Sequence, residues 1–199
     1  MKKFELTAEF VTNVFGKKLF RIKALVAFGD VEKGELGGFI EKEDNLSHDD
    51  NAWVSGNAWV YGDARVYGDA RVSGNAWVYG DAWVYGDAWV YGNAQVSGNA
   101  WVYGNAQVSG NARVSGNAQV SGNADYAAVA GFGRYSRTTT FFRCKDKILR
   151  VQCGCFYGDL AQFREIVKKT HGDSKYAKEY LAIADLMELH FSDECGGEQ

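Results

Sequence analysis

The chain has no proline, only two methionines and three histidines, and no apolar run long enough to span a bilayer. Without proline, no strand in the sequence loses a ladder donor. Without a long apolar run, a transmembrane helix is excluded. The start, Met1-Lys2-Lys3-Phe4-Glu5, has no apolar h-region of a signal peptide, so the expectation is a soluble, cytoplasmic protein. Charge is nearly balanced, with 22 basic and 25 acidic side chains and a formal net charge of −3. That balance excludes bulk attraction to nucleic acid or to a membrane surface. Cysteine is scarce: Cys144, Cys153, Cys155 and Cys195. A zinc site wants two close pairs, or Cys and His at short spacing, and Cys153-Gly154-Cys155 is one residue too tight for a C-x-x-C knuckle. Reduced core thiols are the favoured reading over metal or redox chemistry. No metal site and no cofactor are expected.

What the sequence does have is a period. The unit [N/D]-A-x-V-[Y/S]-G repeats without interruption from Asn51 to Gly122. A hexapeptide period of this kind reads as a β-helix with one hexad per side and three per coil, so twelve hexads give four regular turns. Side chains alternate along a strand, so Ala52 and Val54, and each later Ala/Val pair, share one face and point inward. Residues such as Trp53 and Ser55 point outward. Glycine and the following Asn or Asp form the corner, where both tolerate left-handed backbone.

Stacked coils place residues eighteen apart in register, which turns the sequence into a surface map. The outer columns read Trp53–Arg71–Trp89–Gln107, Trp59–Trp77–Gln95–Arg113 and Arg65–Trp83–Trp101–Gln119. Beside them run Ser55–Ser73–Tyr91–Ser109, Tyr61–Tyr79–Ser97–Ser115 and Tyr67–Tyr85–Tyr103–Ser121. All six tryptophans, Trp53, Trp59, Trp77, Trp83, Trp89 and Trp101, fall in these outward columns. Two readings stand. Stacked rings stabilise their own ladder, with Arg71 inserted between Trp53 and Trp89 as a cation–π sandwich. Alternatively the rings form a contact surface, for a homo-oligomer or for stacked bases or sugars. The in-register pairs Asp63/Asp81 and Asp69/Asp87 repel, with Arg65 and Arg71 near enough to offset them.

Residues 1–50 read as an N-terminal β cap, 51–124 as the hexad β-helix and 125–199 as a small α+β domain. In the first, strands are expected over Phe4–Val11 and Leu19–Phe28. An irregular first coil follows, in which Leu36, Ile40 and Leu46 plug the open end of the prism. In the last, Thr138–Cys144 and Lys147–Cys155 form a hairpin turning at Lys145-Asp146, with Cys153 and Cys155 on one face of a strand. Asp159 caps a helix with Leu160, Phe163, Ile166 and Val167 inward; Ser174 caps a second with Tyr180, Ile183, Ala184 and Met187 inward. The hairpin concentrates positive charge: Arg134, Arg137, Arg143, Lys145, Lys147 and Arg150 face only Asp146. With hydroxyls from Thr138, Thr139 and Thr140, these forks suit phosphate or carboxylate. They equally suit a solvated hairpin with basic edges. The candidate ligand-binding set is Arg134, Arg137, Thr138, Arg143, Arg150 and His171, the last placed in the loop between the helices.

The phrase Gly34-Glu-Leu-Gly-Gly-Phe-Ile-Glu-Lys-Glu-Asp-Asn-Leu-Ser47, followed by Asn-Ala-x-Val hexads, resembles hexapeptide-repeat proteins of bacteriophages and prophages. The repeats are similar to those of the left-handed β-helix family of transferase or polymer-forming type. The tail, with Thr138-Thr-Thr-Phe-Phe142, Cys153-Gly-Cys-Phe156 and Thr170-His-Gly-Asp173, resembles an uncharacterised phage domain. The resemblance implies left-handed coiling and a phage or prophage source, and hence residence in host cytoplasm. Many relatives of this kind are trimeric acyltransferases with a histidine base beside an inter-prism cleft. The hexads here contain no His, Cys or Glu and no insertion, so a non-enzymatic binding protein is expected. Its concrete form is antagonism of a host defence, by holding a small nucleotide-like anion or by capping a defence protein. A homo-oligomer, a trimer among the options, is expected. An acyltransferase-like enzyme and a virion structural protein are the alternatives.

Overall fold

A computed structural model describes residues 2–192; Cys195, read above as a core thiol, lies outside them. The chain is mainly β, with a β-solenoid of about five turns and two C-terminal helices. Strands β1 (Phe4–Thr12) and β2 (Lys18–Ala24) form an antiparallel hairpin, and β3 (Leu36–Ile40) pairs with β2. Twelve two-residue strands follow, one per hexad, from β4 (Trp53–Val54) to β15 (Gln119–Val120). They pair in parallel at a spacing of eighteen residues, so that Trp53 lies against Arg71, Arg71 against Trp89 and Trp89 against Gln107. The other two columns hold the same register. The fifth turn comes from β3, whose Phe39 and Ile40 pair with Trp59 and Val60.

The interior contains what the period predicts. Every hexad Ala and Val is buried, in one continuous core. The corners are narrower in chemistry than expected: only the glycine is left-handed, with φ between +58° and +73° from Gly56 to Gly116. The Asn and Asp that follow stay in ordinary backbone and use their side chains along the axis. Asn75 Nδ2 donates to Asn93 Oδ1 (3.3 Å) and Asn93 Nδ2 to Asn111 Oδ1 (3.2 Å). Asp69 accepts from Asn51, and Asp63 lies 2.7 Å from Lys42 Nζ. That hydrogen bond holds the Asp63 carboxyl below its usual range, so the cap rather than Arg65 supplies the main offset.

Both ends are closed by atypical units. At the start, Ile40 and Leu46 are buried as plugs, but Leu36 is 54% exposed and takes no part. Phe4 and Phe28 fold over Trp53, which is only 2% exposed, so this tryptophan is core rather than surface. Arg71 pairs with Asp30 of the same cap, not with the two flanking indoles. Lys3, also buried, donates to the carbonyls of Asp49, Asp50 and Ala52.

At the far end the rung-to-rung hydrogen bonds have no next coil to reach. Side chains replace it: Asn123 Oδ1 accepts from Gln107 N (2.9 Å) and Thr140 Oγ1 from Arg113 N (2.9 Å). The closing element is an antiparallel sheet of β16 (Tyr126–Phe132), β17 (Arg137–Arg143), β18 (Leu149–Cys153) and β19 (Phe156–Asp159). Its two outer strands were not foreseen. Alternation along β17 sends Phe142 into the solenoid core and Phe141 into a second core with the helices. Helix α1 (Leu160–His171) starts at Asp159, whose carboxylate accepts from Gln162 N (2.8 Å), and α2 (Lys175–Phe191) starts at Ser174. Leu160, Phe163 and Val167 are buried as expected, as are Tyr180, Ile183, Ala184 and Met187; Ile166 is exposed.

Candidate functional site

The tryptophan and tyrosine columns resolve into ladders by geometry. Trp59 and Trp77 stack at 5.0 Å and 2° between planes, Tyr67 and Tyr85 at 4.9 Å and 2°, and Tyr85 and Tyr103 at 5.1 Å and 6°. Trp83 and Trp101 stack at 5.5 Å. Rings stacked along the axis spend their faces on one another and turn only edges to solvent, so these columns offer little platform for a base or a sugar. Trp83 is 37% exposed and Trp89, which lies between Arg71 and Gln107, 52%. Trp59, Trp77 and Trp101 are half-buried.

The basic residues divide. Arg143 points to the helix side, donating to the Phe191 carbonyl (3.0 Å) with its guanidinium 5.7 Å from that ring, and it ties α2 to the sheet. Arg150 is held by Asp146 at 2.7 Å. Two of the three threonine hydroxyls are buried and engaged: Thr140 on Arg113 N, and Thr139 on Cys153 Sγ (3.2 Å). Thr138 remains half-buried at a cleft rim.

Arg134 and Arg137 do converge. They flank Tyr135 at the β16–β17 turn, with guanidinium carbons 5.5 and 5.0 Å from its ring centroid. Among the described residues neither forms an ion pair. The turn is positioned from below by α2: Glu179 Oε2 accepts from Gly133 N (2.9 Å), and Gly133, at φ +74°, is packed so closely on Tyr180 that a Cβ would collide with the phenol. Below lies a cleft of about 200 Å³ with an apolar floor of Phe156, Phe163, Ile166 and Val167. His171 closes it, 5.8 Å from the Tyr180 ring; it is the last residue of α1 rather than a loop residue. Burial pushes the Tyr180 phenol up to about 12, so it stays a neutral hydrogen-bonding group.

A second cleft of about 620 Å³ shares Tyr135 and Arg137 with the first and adds Asn111, Arg113, Ser136 and Thr138. Arg113 comes from the last solenoid coil, and its Nη1 lies 3.5 Å from the Gly154 carbonyl. Arg137 crosses the same turn, its Nη1 lying 2.6 Å from where a Cβ on Gly154 would stand. Cys153 and Cys155 do not share a strand face. Cys153 pairs with Phe156 across a two-residue hairpin turn, which leaves Cys153 half-buried against the helix core and Cys155 exposed on the cleft. Among the described residues Cys144 alone is a buried thiol, raised by that burial. Arg113 was missed from the sequence because the seam between solenoid and sheet brings it in; Tyr135 and Ser136, between the two arginines in the chain, were also missed.

Among the described residues no helix is long and apolar enough to cross a membrane. No curated protein matches the chain. The family described as the YdcK beta solenoid repeat matches residues 64–80, 94–109 and 106–122, all within the hexads. The chain is a repeat β-solenoid protein, similar in those hexads to that family.

Proposed function

We propose that this chain is a binding protein whose seam between solenoid and C-terminal sheet holds a small anion carrying a planar or apolar group, a nucleotide being the class its chemistry suits. One observation supports this most: Arg113 and Arg137 converge on Gly154 from two separate parts of the fold, beside an apolar cleft roofed by Tyr135. Unpaired guanidinium forks bind phosphate oxygens in charge-assisted pairs, and the ring-lined floor accepts a flat group. The finer reading rests on the resemblance: a left-handed coil of phage origin that sequesters a nucleotide signal of a host defence. The test is a thermal-shift panel of nucleotides and acetyl-CoA on the wild type and on Arg134→Ala/Arg137→Ala. The expected result is a rise in Tm with at least one nucleotide, lost in the double variant, whose own Tm is unchanged. A panel that moves neither protein overturns the reading, and a shift with acetyl-CoA alone favours a transferase.

A further inference from the structure

A third cleft, of about 530 Å³, lies on the other side of Asn111 and Thr138, between the last coil and β16. Its lining differs in kind from the basic seam. Tyr91, Gln107, Ser109, Asn111, Asn123 and Thr138 supply hydroxyls and amides, three alanines of β16 form the far wall, and no ionisable carboxylate or cation lines it.

Tyr91 is an exception among the column tyrosines. Its neighbours eighteen residues away are Ser73 and Ser109, whereas Tyr61, Tyr67, Tyr79, Tyr85 and Tyr103 all stack on another tyrosine. Among the described residues no ring contacts Tyr91, so the faces of its phenol are not spent on a ladder. The donors are placed by the end of the solenoid. The amide ladder Asn75→Asn93→Asn111 runs one way, so Asn111 Oδ1 is occupied and its Nδ2 is the terminal donor. Each inner coil also sends N–H groups to the next: Tyr91 N reaches Val108 O and Asn93 N reaches Gly110 O. Ser109 N and Asn111 N hold the corresponding positions in the last coil and have no such acceptor among the described residues. Asn123 is fixed by accepting from Gln107 N, and the Gln107 carbonyl by accepting from the Tyr126 hydroxyl.

An aromatic face beside a row of neutral donors and hydroxyls, without charge, is the chemistry that recognises a pyranose: C–H groups lie on the ring while hydroxyl oxygens accept from amides. We propose that this cleft is a binding site for a neutral sugar ring. It stands apart from the nucleotide reading and does not depend on it. The sugar has two sources, a free glycan or a sugar phosphate whose phosphate reaches Arg113 and Arg137 past the shared Asn111 and Thr138.

The test is ligand-observed NMR and calorimetry with neutral methyl glycosides, disaccharides and hexose 1-phosphates. Tyr91→Ser and Asn111→Asp are the informative variants, since the hexad already uses Ser and Asp at those positions and both fold within its own alphabet. Saturable binding to the wild type, weakened at least tenfold in both variants at unchanged Tm, is expected. A hexose phosphate that exceeds its methyl glycoside, with the excess lost in Arg137→Ala, identifies the phosphorylated source; equal affinities identify a free glycan. If no sugar in the panel binds the wild type, or if Tyr91→Ser binds as well as the wild type, the proposal is overturned. Failure of the nucleotide panel leaves this result readable, because Arg134→Ala/Arg137→Ala does not touch Tyr91.

Discussion

Replacing two glycines separately distinguishes coil stacking from simple backbone strain. Gly86 and Gly110 occupy the same hexad position with nearly the same backbone, at φ +68° and +64°. Alanine at either one pays the left-handed penalty, about 1–2 kcal/mol. It also stiffens the unfolded chain, an effect of the same size at both sites that cancels in the comparison. Space is what differs. A Cβ on Gly86 would lie 3.1 Å from Gly104 N, a backbone atom of the next coil and closer than a Cβ normally sits, whereas a Cβ on Gly110 meets nothing within 4 Å. The next coil cannot move away, because on either side of the corner Tyr85 N donates to Val102 O and Trp89 N to Ala106 O. Overpacking of this kind costs about 1–3 kcal/mol. Gly86→Ala is therefore expected to destabilise by about 1–3 kcal/mol more than Gly110→Ala. Urea denaturation followed by both far-UV circular dichroism and tryptophan fluorescence reads the difference, with coincident transitions as the check that one free energy describes the change. Equal losses in the two variants would mean that residues eighteen apart do not stack.

Three further outcomes follow from the packing. Phe142→Ala, which unplugs the far end of the solenoid core, should cost about 3–5 kcal/mol and raise proteolysis of the last hexads. Tyr85→Ser removes two stacked partners, at 4.9 and 5.1 Å, and should cost about 1–3 kcal/mol in the same denaturation assay. Burial lowers the Lys3 ammonium from 10.5 to about 8, so between those values the unfolded chain holds more protons than the folded one. Stability from this group therefore rises as pH goes from about 8 toward 10.5. Tyr61, raised by burial to about 12, opposes it above pH 10. Melting curves across pH 7–11 should show the rise in the wild type and not in Lys3→Met; a flat wild-type profile would refute the burial of that charge.

The solenoid was legible because a period of six with an inward pair every hexad fixes which residues stack, and the predicted columns match the observed pairing residue for residue. The period says which way a side chain points but not what later folds over it. Trp53 points outward and is nonetheless buried, because Phe4 and Phe28 arrive from forty-nine and twenty-five positions earlier in the chain. Tyr61 is covered in the same way by Leu19 and Phe39. Local capping signals fixed both helices at Asp159 and Ser174. The strand Phe156–Asp159 escaped notice because Gly154 was read as part of a strand rather than as a turn. At the site, Arg134 and Arg137 were visible as members of a basic cluster, but not as the two flanks of a turn, because β16 was not foreseen. Arg113 was not, since its approach to Gly154 crosses forty-one residues and depends on how the sheet caps the last coil.

The most direct measurement is a hydrogen-exchange footprint of the full chain with the nucleotide that gives the largest thermal shift. Exchange should slow together in residues 111–113, 134–138 and 153–155, three segments that only the folded seam brings side by side, while hexads 51–104 stay unchanged. Protection confined to other segments, or none in these three at saturating nucleotide, would contradict the assignment.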